Sequence, residues 1–367
     1  MQRSHNQCEG VLEERGIAGS SVYSLVIVGN TTMTHLFLGI DPRNLALSPF
    51  IPCCRKRITL KGSELALPMH PEGDVSVLPN ISTYLGSDIL SVILTTGMHT
   101  QEGYSLAVDI GTNAEIVLSG KGRILACAAV AGPAFEGAHI HNGMCAGDGV
   151  IEAVRMIGSD ICLKVIGNTP PKGICGSGLI DVIVTLLKAG LLDQRGRLAD
   201  GEKTVLPPFL KDRIRVRDAM REFVLLFAGE QGNGQDIVVT QKDIRELQLA
   251  KGAVAAGIRV LTEEMGIDAA RIDRVFLAGA FGNYINKEHA VALGMFPDIK
   301  ADTILSVGNA AGEGARRSLL SITQRETIDR LSATVQALEL SAHPAFNANF
   351  LHELNFPPVE SVRAEQI

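Results

Sequence analysis

Leu106-Ala107-Val108-Asp109-Ile110-Gly111-Thr112-Asn113-Ala114-Glu115-Ile116-Val117-Leu118 is the stretch that decides the fold. The apolar run up to Asp109 suits a buried strand, and Glu115 to Leu118 starts a second one. An acid, a glycine and two small polar residues lie between them. Gly111 lets the backbone approach an anion closely, and the turn amides with Thr112 and Asn113 can donate to phosphate oxygens. Asp109 repels phosphate directly. Its place is to hold a Mg²⁺ through water or to position an attacking water. The same residues also read as an ordinary β-hairpin with a polar turn, so the flanking sequence has to decide.

Downstream, Gly122 to Ala129 makes a third strand. Ala131-Gly132-Pro133-Ala134-Phe135-Glu136-Gly137-Ala138 is a fixed turn beyond the strand ends, where Glu136 faces either a ligand or solvent. His139 and His141 alternate about Ile140, which suits one face of a strand better than a metal pair. Gly149 to Ile157 reads as a helix and Cys162 to Ile166 as a strand. Gly176-Ser177-Gly178 opens the amphipathic helix Leu179 to Ala189. Such a start either receives an anion or lets the helix pack closely. Gly196 to Lys203 superficially resembles a P-loop, but Glu202 stands where the lysine belongs, which rejects it.

Glu222 to Phe227 and Asp236 to Val239 read as strands, and Thr240 caps a long helix to about Met265. That helix carries Ala250, Gly252, Ala253, Ala255, Ala256 and Gly257. An interior glycine costs about 0.8–1.0 kcal/mol relative to alanine, so these small residues imply close approach of another element, a ligand or a second copy. Arg274 to Leu277 is a buried strand that ends in Ala278-Gly279-Ala280-Phe281-Gly282-Asn283. A flat ligand fits against Gly279, Ala280 and Gly282, and Asn283 can hydrogen-bond to it. Val307-Gly308-Asn309-Ala310-Ala311-Gly312 is a similar turn opening a helix to about Leu320; residues 321–367 read as a helix and an ending strand or tail.

Upstream, residues 1–16 read as a helix with an abrupt start. Val22 to Val28 is a strand that runs into Gly29-Asn30-Thr31, where Asn30 or Thr31 can cap the next helix. His35 on that helix suits packing or surface better than ligation. Residues 40–74 hold five prolines and the basic triplet Arg55-Lys56-Arg57, and read as an irregular connection. Asp74 to Leu78 is a strand and Ser87 to Thr96 a helix. The polar, glycine-flanked segment 97–103 divides the chain into residues 1–100 and 101–367.

The totals set limits on function. The 367 residues are 46% hydrophobic with 38 glycines and no tryptophan, which suits an α/β protein with an aliphatic core. A net charge of −6 with interspersed signs argues against nucleic acid or an anionic membrane as partner. No apolar run reaches 18 residues and no signal core begins the chain, so a cytoplasmic location is expected. The seven cysteines form no C-x-x-C pair, which disfavours a disulfide framework, a zinc site or an iron–sulfur cluster built by this chain.

Taken in order, VGNTTM, LPNISTYLGSD, DIGTNAEIVL, AAVAGPAFEGAHI, CGSGLID, LAGAFGNYIN and GNAAGEGA resemble the C-terminal region of the reductive activators of corrinoid proteins. The resemblance covers nearly the whole chain. It implies the α/β fold of the acetate kinase, sugar kinase, Hsp70 and actin (ASKHA) superfamily: two ribonuclease-H-like lobes with ATP and Mg²⁺ between them. It also implies ATP hydrolysis coupled to one-electron reduction of an inactive Co(II) corrinoid protein to Co(I). By resemblance Asp109, Gly111, Thr112 and Asn113 form a phosphate loop, and Gly279, Ala280, Gly282 and Asn283 the adenosine-side turn. A corrinoid protein is the implied partner, and a homodimer is expected.

Two departures qualify the resemblance. Full-length relatives carry an N-terminal ferredoxin module with C-x₄-C-x₂-C spacing that nothing here matches, so a [2Fe–2S] cluster is expected only in that separate module. The superfamily uses two phosphate hairpins, and only the one at Asp109 is found. The first is expected upstream of residue 1, leaving the first lobe incomplete: residues 1–100 read as the end of a middle domain and 101–367 as the C-terminal domain. Electron transfer by this chain alone is then expected to fail. Rival readings are an activator of a 2-hydroxyacyl-CoA dehydratase, a small-molecule kinase, or a non-catalytic module that binds a corrinoid protein or dimerises.

Overall fold

The computed structural model describes residues 2–158, 160–200, 207–230, 234–282 and 284–358. Its centre is a six-stranded sheet ordered β14-β13-β4-β5-β6-β15. The strands are β4 (Ser105–Ile110), β5 (Ala114–Gly120), β6 (Arg123–Ala129), β13 (Arg274–Ala278), β14 (Ile304–Gly308) and β15 (Gln336–Leu338). β4, β5 and β6 form an antiparallel meander, while β13 lies parallel to both β4 and β14. The expected hairpin is therefore present, with the parallel pair beside it.

Strand alternation sorts the core into two faces. Leu106, Val108, Ile116, Leu118, Val275 and Leu277 point to one face, where helix Gln241–Met265 covers them. Ala107, Val117, Ala126 and Phe276 point to the other, under helices Ser87–Thr96, Ala310–Leu320 and Ile322–Thr334.

Helix Gln241–Met265 starts at a capping box. Thr240 Oγ1 accepts from the Asp243 amide at 3.2 Å, and Asp243 Oδ2 accepts from the Thr240 amide at 2.8 Å. Its small residues are all buried within the chain. A Cβ at Gly257 would stand 2.6 Å from Ile116 Cδ1, and one at Gly252 3.3 Å from the Glu353 carbonyl oxygen. They admit the chain's own β5 and helix Phe346–Glu353, so of the three readings the close approach of another element holds, and the stripe is not left for a second copy.

Among the described residues three smaller sheets complete the fold. β1 (Ser24–Ile27), β2 (Ile58–Lys61) and β3 (Asp74–Val77) pair in the order β1-β3-β2, with β1 and β3 parallel. β7 (Val150–Ile157), β8 (Asp160–Val165) and β9 (Gly173–Ile174) pair in the order β8-β7-β9; β10 (Ile214–Arg217), β11 (Met220–Leu226) and β12 (Ile237–Thr240) pair in sequence order.

Several local expectations change. The stretch from 149 to 157 is not a helix but strand β7, which pairs antiparallel with β8 across a bulge between Ile151 and Ala153. Residues 139–141 are a turn rather than a strand, with His139 at φ +64° and the His141 amide donating to Asp243 Oδ1 at 2.8 Å. The connection 40–74 contains β2, and its basic triplet is partly spent: Arg55 donates to the Ile81 carbonyl and Arg57 pairs with Asp329. The C-terminal part holds a second helix, Phe346–Glu353, after β15. His35 is packed as expected. Its Nδ1 lies 2.7 Å from the Thr31 carbonyl, and its Nε2 accepts from the Cys53 amide at 3.2 Å.

Candidate functional site

The site grows from the end of β4. Asp109 pairs in register with Glu115 on β5 and with Ala278 on β13. One residue beyond Ala278, the chain turns at Gly279 with φ +87°, and a Cβ there would stand 2.6 Å from Asp109 Oδ1. A side chain at 279 is thus excluded twice, by backbone conformation and by the carboxylate. Sheet pairing alone therefore sets the hairpin and the 278–282 turn side by side.

The hairpin turn is held on its own terms. The Gly111 amide donates to the Asn113 carbonyl at 2.9 Å, and the Gly132 amide to the Thr112 carbonyl at 3.0 Å. A Cβ at Gly111 would meet only that Asn113 oxygen, at 3.5 Å, and one at Gly132 would meet nothing within 4 Å. Packing within the chain does not demand glycine at 111. The space above it is open to a ligand, as an approaching phosphate requires.

Glu136 joins the same place from the next loop. It closes the short helical turn Pro133–Glu136 and accepts a hydrogen bond from Thr112 Oγ1 at 2.9 Å. With Ser177, Glu152, Cys145, Cys175 and Tyr284 it lines a mostly apolar pocket of about 210 Å³. Tyr284 is 66% exposed at its lip. Gly176 and Ser177 reach this pocket, but Gly178 does not. Both glycines have packing reasons: a Cβ at Gly176 would stand 2.0 Å from the Phe135 carbonyl oxygen, and one at Gly178 2.3 Å from that of Ile151. Ser177 Oγ donates to the Glu152 carbonyl at 3.0 Å. Of the adenosine-side residues, Gly279, Ala280 and Gly282 form the short helix Gly279–Gly282, and Asn283 lies outside the described residues.

Electrostatics single out two acids that sequence reasoning passed over. Asp88, in the first turn of helix Ser87–Thr96, and Glu115 stand with Asp109 on the same face of the sheet. Burial, then the Asp88 charge, pushes the Asp109 carboxyl up to about 6. Glu115 is pushed to about 9 by burial, then by Asp88 and Asp109. Burial also raises Asp88, against its hydrogen bond from the Ile89 amide at 2.8 Å. At neutral pH Asp109 is largely ionised and Glu115 holds its proton. The cross-strand place of Glu115 is legible in the hairpin register; that of Asp88 needs the packed helix.

Among the described residues no three His, Cys, Asp or Glu side chains are placed to cage a metal ion. Asp109 fits a Mg²⁺ that takes its other oxygens from phosphate and water, the usual arrangement for this ion. The residues do not fit an iron–sulfur cluster: among the described residues the cysteines are scattered, and no three of them gather as its ligands would.

The family profile for the C-terminal domain of RACo, the ASKHA domain, matches residues 103–367, and that for the RACo middle region matches residues 1–101. The chain belongs to the RACo family. Among its relatives is the corrinoid activation enzyme RamQ of Eubacterium limosum, 36% identical over 347 residues, 94% of this chain and 58% of that protein. Another is the [Co(II) methylated amine-specific corrinoid protein] reductase of Methanosarcina barkeri, 27% identical over 92% of this chain and 63% of that protein. A solved reductive activator for corrinoid, iron-sulfur protein superposes with a TM-score of 0.85 at 38% identity, covering 96% of this chain and 56% of that one. The chain thus spans about three fifths of the length of these relatives. The fold is the mixed α/β ASKHA architecture read from the sequence. No described helix is long and apolar enough to cross a membrane.

Proposed function

We propose that this chain is the ATP-binding part of a reductive activator that returns a Co(II) corrinoid protein to Co(I). The carrying observation is the contact between Asp109 and the Gly279 turn, beside the Thr112–Glu136 bond, in a chain of the RACo family. Phosphates would lie over Gly111, Thr112 and Asn113, and the nucleoside against Gly279, Ala280 and Gly282. Mg²⁺, when bound, would supply charge neutralisation at the phosphates. Asp109 binds that cation as a carboxylate, Glu136 orients the Thr112 hydroxyl, and Glu115 keeps a proton beside Asp109 so that one charge, not two, occupies the hairpin. Gly176 and Ser177 belong to the wall of the neighbouring pocket.

Under this reading the boundary falls in 97–103, the electron enters from a cluster carried elsewhere, and a corrinoid protein docks on the assembled, dimeric activator in the cytoplasm. The test is calorimetric titration of the chain with Mg²⁺–ATP, with Asp109→Ala as control. Binding at roughly 100 μM or tighter, about −5.5 kcal/mol, and lost in the variant, supports a working half-site. Nucleotide binding that persists undiminished in Asp109→Ala refutes the placement of the phosphates.

A further inference from the structure

A second cleft, of about 700 Å³, opens among helix Ser87–Thr96, the start of β6 and helix Ile322–Thr334. Its floor is apolar, made by Leu94, Ile124 and Leu331. Arg317, Arg330 and His99 line its walls, and no carboxylate does. In a chain of net charge −6 this is a local reversal of sign.

Many donors in the cleft are unspent. Arg330 gives one N–H to Thr327 Oγ1 at 2.8 Å and has no ion-pair partner among the described residues. Arg317 gives Nε to Glu313 at 2.9 Å and Nη1 to the Thr95 carbonyl at 3.3 Å, which leaves Nη2. Glu313 is shared with Arg316, so two guanidiniums face one carboxylate and the group stays cationic. His99 donates Nδ1–H to the Ile93 carbonyl at 3.3 Å, so in the neutral ring its other nitrogen is an acceptor and the imidazole serves as a reporter in the cleft, not as a donor. The Gln324 side chain makes no hydrogen bond among the described residues. Asp329, the acid beside Arg330 in sequence, is paired with Arg57 at 3.1 Å.

The end of helix Ser87–Thr96 would ordinarily repel an anion with its free carbonyls. Here three of the last four are covered. The Ile93 oxygen accepts from the Gly97 amide, the Thr95 oxygen from Arg317 and the Thr96 oxygen from Gln101 Nε2 at 2.9 Å.

We propose that this cleft binds a phosphoryl group, free or carried on a small organic molecule, with Arg330 and Arg317 as its charge partners. Free donors of two guanidiniums and an amide, on two successive helices, line the one cleft, which suits a dianion with several acceptor oxygens. The volume exceeds what the anion fills, and the apolar floor receives the organic part.

The test titrates the chain with inorganic phosphate and, separately, with glycerol phosphate, following the His99 ring signals by NMR, assigned with His99→Gln. The expected result is a saturable shift in the low-millimolar range or better. Arg330→Gln should weaken it at least tenfold while Mg²⁺–ATP binding stays as in the parent. Gln324→Ala, at a half-buried position in the first turn of its helix, serves as the milder variant if Arg330→Gln misfolds, and should weaken binding severalfold. Tighter binding of the ester assigns the floor to an organic moiety; equal binding assigns the cleft to free phosphate. No saturable shift, an equal shift with chloride, or unchanged affinity in both variants overturns the proposal.

Discussion

The central six-stranded sheet and the small sheet β1-β3-β2 are built around the same unit with different neighbours. Each contains a parallel pair, β13–β14 in one and β1–β3 in the other. Each sends a strand into Val-Gly-Asn and a helix: Val28-Gly29-Asn30 before helix Thr31–Phe37, and Val307-Gly308-Asn309 before helix Ala310–Leu320. Asn30 accepts from the Met33 amide at 2.9 Å, and Asn309 from the Gly312 amide at 2.8 Å. The difference lies on the far side of the inner strand. β13 carries β4 and, through it, the Asp109 hairpin. The matching inner strand β3 carries only the antiparallel β2 on its other side, while β1, like β14, is an edge strand, with three of its four residues only half-buried. Parallel pairs supply turns and helix starts; placing an acid against those turns takes the antiparallel hairpin. An open edge like that of β1 is a template for another strand.

The contrast should appear first as stability. Leu277→Ala in β13 removes a fully buried side chain and is expected to cost about 2–5 kcal/mol. Leu25→Ala in β1, where the side chain is only partly covered, should cost less than about 1.5 kcal/mol. Urea unfolding of both variants decides it. Equal losses would mean the small sheet is as firmly packed as the large one, and the comparison fails.

The acids at the hairpin give a sharper, pH-dependent form of the same contrast. Glu115 titrates near 9 when folded against a usual 4.5, so between those values the folded chain holds a proton that the unfolded chain has released. Stability should therefore fall as pH rises through that window and level off above it. Asp109 adds a smaller fall of the same sign between 3.8 and about 6. Glu115→Gln should flatten most of this slope, matching the parent near pH 4 and exceeding it by on the order of 2 kcal/mol near pH 9, in metal-free buffer. Thermal unfolding across pH measures it; a parent whose stability rises from pH 5 to 9 would contradict the burial of these carboxyls.

Glycine substitution separates the turns of the two sheets. Gly279→Ala forces an unfavourable φ and collides with Asp109, so a loss of about 1–3 kcal/mol is expected, together with loss of Mg²⁺–ATP binding. Gly29→Ala has no such backbone demand and meets only the Met33 side chain, at 3.3 Å, so its cost should stay below about 1 kcal/mol. Comparable losses, read by unfolding and calorimetry, would remove the special status of the 279 turn.

Much of this arrangement was legible in the sequence because it is local. The hairpin, the capping box at Thr240 and the cap at Asn30 each rest on residues within a few positions of one another. What escaped depends on partners distant in sequence. β7 is the exception: its partner β8 starts at Asp160, close by, but the bulge between Ile151 and Ala153 breaks the alternation that would have marked a strand. The stripe from Ala250 to Gly257 announced close approach, but the helix and strand that approach, at 353 and 116, come from elsewhere in the chain. Asp88 joins Asp109 only after its helix packs on the sheet, so its chemistry was unreadable while its position as a helix start was plain.

The smallest expected effect tests whether the shared Val-Gly-Asn unit is energetically the same device in both sheets. Asn30→Ala and Asn309→Ala each remove a side-chain acceptor from a helix amide at nearly equal distance, and each should cost about 1 kcal/mol. If capping alone sets the cost, the two losses agree within a few tenths of a kcal/mol, although one helix is seven residues long and the other eleven. A markedly larger loss at Asn309 would mean that this residue also supports the turn facing Gly282, whose carbonyl accepts from Ser306 on β14 at 3.0 Å. The likeness between the sheets would then be one of backbone pattern only, with the larger sheet having recruited its copy into the candidate site.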